Sequence, residues 1–253
     1  YPNGVDDKFF YEKNCPKARP SWMRTQPIKS EDGYIEYCQF DSIADVVWAA
    51  NLASLELHTT MARAATPTNP TMVVFDLDPG EPADIIDCAE IGLWIRDMLD
   101  GIGLQCFPKT SGSKGLQVYL PLNGSNDYDH STGFAKLVAE AMERNTPERV
   151  VSVQTKKLRV GKVLVDWYQN SFHKTTVCAY SLRARPRPTV STPVTWDEVD
   201  SCASSGDADV LDFEAHDVLE RVRTMGDLWA PTLELRQELP PNTPTAKAPR
   251  IIR

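Results

Sequence analysis

Two aspartates one residue apart, Asp76 and Asp78, follow the apolar run TMVVF at residues 71–75. In a strand, residues i and i+2 point to the same face, so we expect both carboxylates on one side of the chain. Two such carboxylates repel each other, and a hard divalent cation between them makes the arrangement favourable. The alternative is a strand that simply ends in a capped turn, because Pro79 and Gly80 follow at once. The pair predicts a strand end that can bind metal ions.

The size and composition of the chain are those of an ordinary globular protein. At 253 residues it can bury a large core, in one large domain or two small ones. Hydrophobic residues make up 42% and charged residues 25%, and neither a membrane span nor a signal peptide is visible. The six cysteines form no CxxC and have no nearby histidine pair. We therefore expect neither a zinc site nor a disulfide framework, as in a reducing cytosol.

The net charge of −8 is unevenly distributed along the chain. Residues 151–190 contain eight Lys or Arg and one acid, Asp166, whereas residues 191–220 contain nine acids and no base. A strongly basic segment inside an acidic protein indicates a local site for an anion. The alternative is a solvated face on which the charges cluster by chance.

The middle of the chain alternates between strand and helix patterns. Apolar runs and helical spacing predict a strand, a helix, two strands, a helix and a strand at 71–76, 82–99, 104–109, 116–120, 130–144 and 162–168. This β-α-β-β-α-β order is the ferredoxin-like pattern, in which right-handed crossovers place the fourth strand beside the first. Asp166 on the fourth strand is then expected next to Asp76 and Asp78. Topology thus predicts a triad of carboxylates, with the third strand on the other flank of the first.

The segments on either side of this module are less regular. Residues 1–40 are rich in Pro, Gly and Asn and end in a predicted strand at 33–40, followed by a predicted helix over about 42–57. An acidic helix is expected around 209–225. Four prolines in 239–249 predict an extended tail.

Three further motifs suit an anionic or nucleic-acid ligand. In the turn SGSKG at 111–115, glycines let backbone N–H groups approach phosphate oxygens and the lysine adds charge, although such turns are often plain connections. Arg183 and Arg185 share a face of an extended segment, where the guanidinium fork suits triphosphate oxygens or forms a solvated edge. The adjacent Phe9 and Phe10 can stack on a base or belong to the core.

Four ordered motifs together resemble the polymerase domain of bacterial ligase D, within the archaeo-eukaryotic primase superfamily. They are VFDLDPG at 74–80, TSGSKGL at 110–116, KVLVDW at 162–167 with the following QN, and AYSLRAR at 179–185. The resemblance covers most of residues 1–200. It implies an α/β (α+β) primase-polymerase fold, whose RRM/ferredoxin-like catalytic module at 71–190 packs on an N-terminal α/β part. We expect the catalytic domain to span 1–230, with an incomplete N-terminal portion, and a Pro-rich C-terminal tail at 231–253.

The resemblance implies a role for each candidate residue by its position. Three aspartates match the catalytic carboxylates that hold two metal ions: Asp76, Asp78 and Asp166. Eight residues match positions that hold the incoming nucleotide: His58, Ser111, Lys114, Gln117, Arg159, Gln169, Arg183 and Arg185. Phe9 and Phe10 match an aromatic pair that contacts the DNA template.

Two of these positions have a second interpretation. The family usually has histidine where this chain has Gln117, and glutamine hydrogen-bonds a phosphate without carrying positive charge. We therefore expect weaker nucleotide binding or an altered substrate preference. His58 matches a histidine of the family, but on sequence alone it fits an ordinary histidine at a helix end.

The implied function is metal-dependent, template-directed nucleotidyl transfer to primers at short DNA gaps or breaks, with a preference for ribonucleotides. The implied cofactors are two Mn²⁺ or Mg²⁺ ions, and the substrates are nucleoside triphosphates. The expected partners are gapped or primed DNA and repair proteins such as a ligase or a Ku-type end-binding protein, in end joining or base excision repair. No membrane is involved, and the expected location is the bacterial cytoplasm, at the nucleoid.

Two alternatives remain open. One is a catalytically quiet DNA-binding repair module, which the three intact carboxylates disfavour. The other is a haloacid-dehalogenase-like phosphatase, whose first motif is similar to VFDLD. That family expects glycine and then threonine or valine directly after the second aspartate, whereas Pro79 and Gly80 follow here.

Overall fold

The computed structural model of the protein describes residues 1–30 and 33–245. The strands are β1 Thr25–Ser30, β2 Gly33–Cys38, β3 His58–Thr59, β4 Met72–Pro79, β5 Phe107–Thr110, β6 Leu116–Pro121, β7 Val150–Val151, β8 Val163–Asp166 and β9 Thr176–Val177. The α-helices are α1 Ile43–Asn51, α2 Ile85–Asp100, α3 Tyr128–Asn145, α4 Trp196–Ser205, α5 Ala215–Met225 and α6 Ala230–Glu234. Short 3₁₀-helices span Lys156–Leu158, Trp167–Asn170 and Ala208–Leu211. No helix within these described ranges has the length and apolar character to cross a membrane.

A five-stranded sheet in the order β5-β6-β4-β8-β7 forms the centre of the molecule. β4 pairs antiparallel with β6 on one side and with β8 on the other, and β7 adds a short parallel edge. The order of β5, β6, β4 and β8 is that of the ferredoxin-like module. Both predicted neighbours of the first strand are therefore confirmed, as is the mixed α/β class.

The two faces of this sheet have different partners. Val73, Phe75 and Leu77 of β4 share the main hydrophobic core with residues of α2 and α3 such as Ile91 and Phe134. The alternate residues of β4 point to the opposite face, which we call the site face because it carries both aspartates. Alternation along one strand thus separates the apolar core from the polar site.

The N-terminal part contains one antiparallel pair of strands, a helix and a short strand whose partner lies later in the chain. β1 pairs with β2 over Thr25–Ser30 and Gly33–Cys38, and β3 pairs with β9 so that His58 lies opposite Val177. This second pair brings His58 from the N-terminal part to the segment that follows β8.

Local hydrogen bonding moves several helix boundaries away from their predicted positions. α1 ends at Asn51, well before residue 57, because Ala53 adopts a left-handed backbone conformation with φ of 56°. α2 begins at Ile85 rather than at 82, because the Asp84 side chain accepts the N–H of Ile86 and caps the helix there. In both cases polar backbone chemistry overrides the apolar pattern.

The strands that carry the aspartates also differ from their predicted ends. β4 continues to Pro79, so Asp78 lies within the strand rather than after it. β8 ends at Asp166 rather than at 168, because the Asp166 carboxylate accepts the N–H of Tyr168 at 3.0 Å and begins a 3₁₀-helix.

The cysteine expectation is wrong on one point, because Cys15 and Cys38 form a disulfide. The N-terminal segment runs beside β2, where the Cys15 N–H donates to the Glu36 carbonyl at 2.6 Å. The two cysteines are 23 residues apart, one in an irregular segment and the other at the end of β2, and cysteine spacing alone carries no signature of such a pairing. The remaining four cysteines in the described part of the chain are free thiols.

The segment after α5 packs against the catalytic module. Gln237 Nε2 donates to the Pro121 carbonyl at 2.9 Å, and the Leu239 side chain is buried in the main core. The start of the stretch predicted as a tail, 231–253, is therefore in contact with the central sheet. Its last residues, 246–253, which include the end of the predicted extended stretch 239–249, lie outside the described residues.

Asn170 joins the 3₁₀-helix after β8 to the backbone of β4. Its Oδ1 accepts the Val74 N–H at 2.8 Å and its Nδ2 donates to the Val74 carbonyl at 2.7 Å. Thr132 of α3 donates to the Asn170 carbonyl at 2.8 Å. The amide thus takes the place of a neighbouring strand where β8 no longer reaches.

We expect Asn170→Ala to lower the free energy of unfolding by about 3 kcal/mol, because two buried main-chain groups of Val74 lose their partners. Urea unfolding measures this change. The control is Asn145→Ala at the exposed end of α3, which should change stability by less than about 0.5 kcal/mol. Equal stabilities of the two variants would show that the Asn170 bridge contributes nothing.

Candidate active site

Residues from four adjacent strands form a single row across the site face. The register pairs Lys109 of β5 with Gln117 of β6, Gln117 with Asp76 of β4, and Asp76 with Asp166 of β8. Directly paired residues share a face, and Asp78 lies on the same face two residues along β4. The structure therefore brings the three predicted carboxylates together.

Burial and mutual repulsion perturb two of these carboxylates. Burial, followed by the negative charge of Asp78, raises the pKa of the Asp76 carboxyl above its ordinary value, although Gln117 Nε2 donates to it at 2.9 Å. Burial also raises the pKa of Asp166, against hydrogen bonds from Gln154 and the Tyr168 N–H. Ionising both carboxylates at this end of the row is therefore energetically unfavourable, and a bound cation would lower that cost.

The chemistry of this donor set fits hard divalent cations, which take carboxylate oxygens as ligands. Across residues 1–30 and 33–245, however, no group of three or more His, Cys, Asp or Glu side chains is arranged so that it could hold a metal ion. Asp76, Asp78 and Asp166 thus share a face without forming a closed ligand cluster. The Asp166 carboxylate is engaged by the Tyr168 N–H and by Gln154.

A cleft of about 190 Å³ lies beside the row and is lined by both Asp76 and Asp78. Six of the residues predicted to hold a nucleotide also line it: His58, Ser111, Lys114, Gln117, Gln169 and Arg183. Asp166 is not among its lining residues, and neither are Arg159 and Arg185. The structure thus collects most, but not all, of the predicted site around one cleft.

The SGSKG turn between β5 and β6 is closed by its own serine. Ser111 Oγ accepts the N–H groups of Ser113 at 3.2 Å and Gly115 at 3.1 Å. These two N–H groups are therefore used within the turn, and the exposed side chain of Lys114 is the part directed to the cleft. Gly112 has a φ of +67°, and a Cβ on Gly115 would lie 2.3 Å from the Leu77 carbonyl oxygen.

Glu56 organises two of the predicted nucleotide-binding residues. Its carboxylate accepts from His58 Nε2 at 3.0 Å and from the Ala184 N–H at 3.0 Å, and lies 3.2 Å from Arg183 Nε. Arg183 also donates to the Ser111 carbonyl at 2.5 Å. Burial raises the pKa of Glu56, but the bonds from His58, Ala184 and Arg183 outweigh it and lower the pKa to about 2.

The other predicted site residues contact the row, its hydrogen-bond partners or the SGSKG turn. Gln169 Nε2 is 3.5 Å from Asp76 Oδ2, and within the described chain its Oε1 is buried without a hydrogen-bond partner. Arg159 donates to the Gln154 side chain at 2.7 Å, and Gln154 in turn bonds Asp166. Arg185 donates to the Ser113 hydroxyl.

Phe9 and Phe10 are exposed, by 61% and 66%, so neither belongs to the core. Phe9 stacks on Tyr1 with ring centroids 4.9 Å apart. Both rings are therefore accessible to an external ligand, and their predicted contact with a DNA template stays a prediction.

Two residues that the sequence analysis did not identify are central to the geometry. Lys109 of the row is fully buried, and burial lowers its pKa to about 7. Glu56 links His58 to Arg183 across the chain. The sequence signal for Lys109 is limited to its place at the end of a predicted strand, two residues before the SGSKG turn.

Comparisons with known proteins give one consistent result. The family model described as LigD, primase-polymerase domain matches residues 1–229. The multifunctional non-homologous end joining DNA repair protein LigD of Mycobacterium tuberculosis is 42% identical over 236 residues, 90% of this chain and 30% of that protein. The bifunctional non-homologous end joining protein LigD of Bacillus subtilis is 29% identical over 227 residues, 89% of this chain and 36% of that protein. The chain spans about a third of these curated relatives.

A solved structure agrees with these sequence matches. The polymerase domain from Mycobacterium tuberculosis ligase D, in complex with DNA, superposes with a TM-score of 0.85 at 40% identity, covering 92% of this chain and 83% of that one. The fold is thus that of the primase-polymerase class. The chain belongs to the LigD primase-polymerase domain family, which consists of DNA-directed nucleotidyltransferases whose reaction uses a divalent metal.

We expect Glu56→Gln to destabilise the protein at neutral pH and much less in acid. Because the folded pKa of Glu56 is depressed to about 2 from its ordinary 4.5, its stabilising contribution is present above about pH 4.5 and is lost as pH falls towards 2. Urea midpoints of wild type and variant, measured from about pH 7 down to about pH 3, should therefore converge. Glu148→Gln, at an exposed position, controls for removal of a carboxylate. A gap that stays constant over this range would contradict the assignment.

Proposed function

We propose that this chain is a divalent-metal-dependent, template-directed nucleotidyltransferase that adds nucleotides to primers at DNA gaps or breaks. The observation that carries the proposal is the row of carboxylates beside a cleft with cationic side chains. Asp76 and Asp78 provide anionic oxygens, and Lys114 and Arg183 provide positive charge on the same cleft. Metal ions and a triphosphate need these two sets of groups side by side.

In this proposal the residues of the row and those of the cleft have different roles. Asp76, Asp78 and Asp166 would hold two Mn²⁺ or Mg²⁺ ions, which when bound activate the primer 3′-hydroxyl and stabilise the pyrophosphate leaving group. The planar guanidinium of Arg183 and the ammonium of Lys114 would bind the triphosphate. Because Glu56 already contacts Arg183, a triphosphate that binds there must compete with that ion pair.

The remaining nucleotide-binding assignments have distinct supports. Gln117 Nε2 donates to Asp76 and Gln117 Oε1 accepts from Lys109, so its proposed effect on the nucleotide is exerted through the Asp76 carboxylate. Gln169 has a buried oxygen without a hydrogen-bond partner in the described structure. Ser111 acts through the turn that presents Lys114. The remaining assignments to nucleotide binding are His58, which lines the cleft, and Arg159 and Arg185, which are not among its lining residues.

A second cleft supports the assignment of primed DNA as the other substrate. It has a volume of about 680 Å³, lies along the β1–β2 hairpin, and is lined by Arg24, Arg63 and His58. His58 lines both clefts, so the two are adjacent. Exposed Phe9 and Phe10 are suited to stack on unpaired template bases.

The biological setting is also a proposal. The relatives are named for non-homologous end joining, so we propose gap filling at double-strand breaks, with excision-repair gaps as a second substrate. We propose a ligase and a Ku-type end-binding protein as the partners in this role. The protein would act at the nucleoid. A preference for ribonucleotides is proposed from the family resemblance and requires a direct comparison.

The phosphatase alternative disagrees with the fold. The fold of that enzyme class has a mostly parallel sheet, whereas β4, which carries Asp76, is antiparallel to both β6 and β8. A catalytically quiet DNA-binding module would bind the same DNA as the enzyme but would not extend a primer. Primer extension therefore separates these two functions.

We expect Asp76→Asn and Asp166→Asn each to lower the rate of primer extension on gapped DNA by about 1000-fold or more, because metal-assisted charge stabilisation supplies several kcal/mol. The assay uses Mn²⁺ with ribo- and deoxynucleotides in parallel. Binding of the same DNA, measured by fluorescence anisotropy, should remain. Removal of the metal with a chelator should stop extension by the wild type.

The matched control is Asp209→Asn, an exposed aspartate in the acidic segment after α4. This variant should extend primers at the wild-type rate. Extension that survives either substitution in the row would disprove the metal assignment. A wild type that binds DNA and never extends a primer, with any nucleotide or with Mn²⁺, would favour the binding module.

A further inference from the structure

Lys109 is a fully buried lysine at one end of the row. Its Nζ donates to Gln117 Oε1 at 2.6 Å and to Ser191 Oγ at 2.6 Å, and it lies 5.4 Å from the centroid of the Tyr119 ring. The groups that contact the ammonium directly are thus neutral. Burying a lysine among neutral groups costs free energy, so its retention in the core calls for a function.

The contacts of Lys109 determine how the Gln117 amide is oriented. Gln117 Oε1 accepts from Lys109 and also from the Tyr119 hydroxyl at 3.1 Å, while Nε2 donates to Asp76 Oδ1 at 2.9 Å. Rotating the amide by a half-turn would set its NH₂ against the Lys109 ammonium and its oxygen against the Asp76 carboxylate. Both new contacts would be repulsive while Lys109 carries its proton, so the ammonium and the carboxylate together select one of the two orientations.

The anchor of Lys109 lies outside the row. Ser191 Oγ, which accepts from Nζ, itself donates to the Thr110 carbonyl at 2.9 Å. The Ser191 hydroxyl therefore has its hydrogen committed to the backbone and its lone pairs free for the ammonium. A chain of hydrogen bonds runs from Ser191 through Lys109 and Gln117 to Asp76.

We propose that Lys109 is a positioning residue, which holds the Gln117 amide so that its N–H faces Asp76 and fixes that carboxylate for nucleotidyl transfer. The inference rests on the proposed function, since Asp76 is there a metal-binding carboxylate. Lys109 acts only through Gln117 and touches neither nucleotide nor DNA. It is therefore required for turnover, while Lys114 and Arg183 contact the nucleotide.

The test compares Lys109→Met, Gln117→Met and the double variant. Methionine keeps the length of both side chains and removes their hydrogen bonds. We expect each single variant to lower kcat for primer extension by about 10- to 100-fold, with a much smaller change in nucleotide KM. The double variant should be no slower than the slower single variant, because the two residues act through one contact.

A second readout is independent of activity. The side-chain amide protons of Gln117, assigned by NMR through their loss in Gln117→Met, should be protected from exchange in the wild type. In Lys109→Met they should exchange faster. Ser191→Ala removes the anchor of Lys109 together with the Ser191 hydrogen bond to the Thr110 carbonyl, and a partial loss of both Gln117 protection and kcat is expected. This variant provides the test if Lys109→Met does not fold. Lys136→Met on α3, on the opposite face of the sheet, is the control.

Three outcomes would overturn the inference. They are a folded Lys109→Met with wild-type kcat, additive losses in the double variant, and unchanged Gln117 amide protection in Lys109→Met. A wild type that fails to extend primers refutes the proposed function instead. In that case the Gln117 exchange measurement still decides whether Lys109 orients the amide.

Discussion

The antiparallel register of β5, β6, β4 and β8 is the constraint on which the rest of the structure depends. Side chains alternate along a strand, so one register sends Val165 to the helix-covered core and leaves Asp166 on the site face beside Asp76. A slip of one residue between β8 and β4 would exchange the two, burying a carboxylate among α2 and α3 side chains and removing a valine from the core. Hydrophobic burial in the core thus holds the carboxylates in place, although the core touches none of them.

Charge is distributed along the row and the cleft in a definite order. The amide and ammonium groups of Gln117 and Lys109 lie at one end, and the carboxylates of Asp76 and Asp166 at the other. Burial makes each carboxylate costly, so the site stabilises negative charge only through donors and through the cations it would bind. Beyond the row, Glu56 holds Arg183 in an ion pair. One cationic group of the cleft is thus already paired with a carboxylate from another segment of the chain.

The sequence was sufficient for the order of the strands and for the meeting of Asp76 with Asp166, because both follow from periodicity and from the handedness of crossovers. It was insufficient for groups whose role comes from long-range contacts. Lys109 is an unremarkable lysine near the end of a predicted strand until its partner across β6 is known. The Cys15–Cys38 disulfide likewise depends on the path of an irregular segment. Helix and strand ends were missed where a side chain, such as that of Asp84, caps the backbone.

The sequence locates the SGSKG turn correctly, but its glycines and serines have different structural roles from those that the composition of the turn indicates. Glycines there were expected to open backbone N–H groups to phosphate, but Ser111 Oγ takes the N–H groups of Ser113 and Gly115. The glycine at 115 is instead required by packing, since a Cβ would meet the Leu77 carbonyl of β4 at 2.3 Å. Because Leu77 lies between the two aspartates of β4, this close contact sets the position of the turn, and with it Lys114, relative to the carboxylates. In the proposed function, phosphate binding would then depend on side chains such as that of Lys114, at the distance from the carboxylates that Gly115 permits.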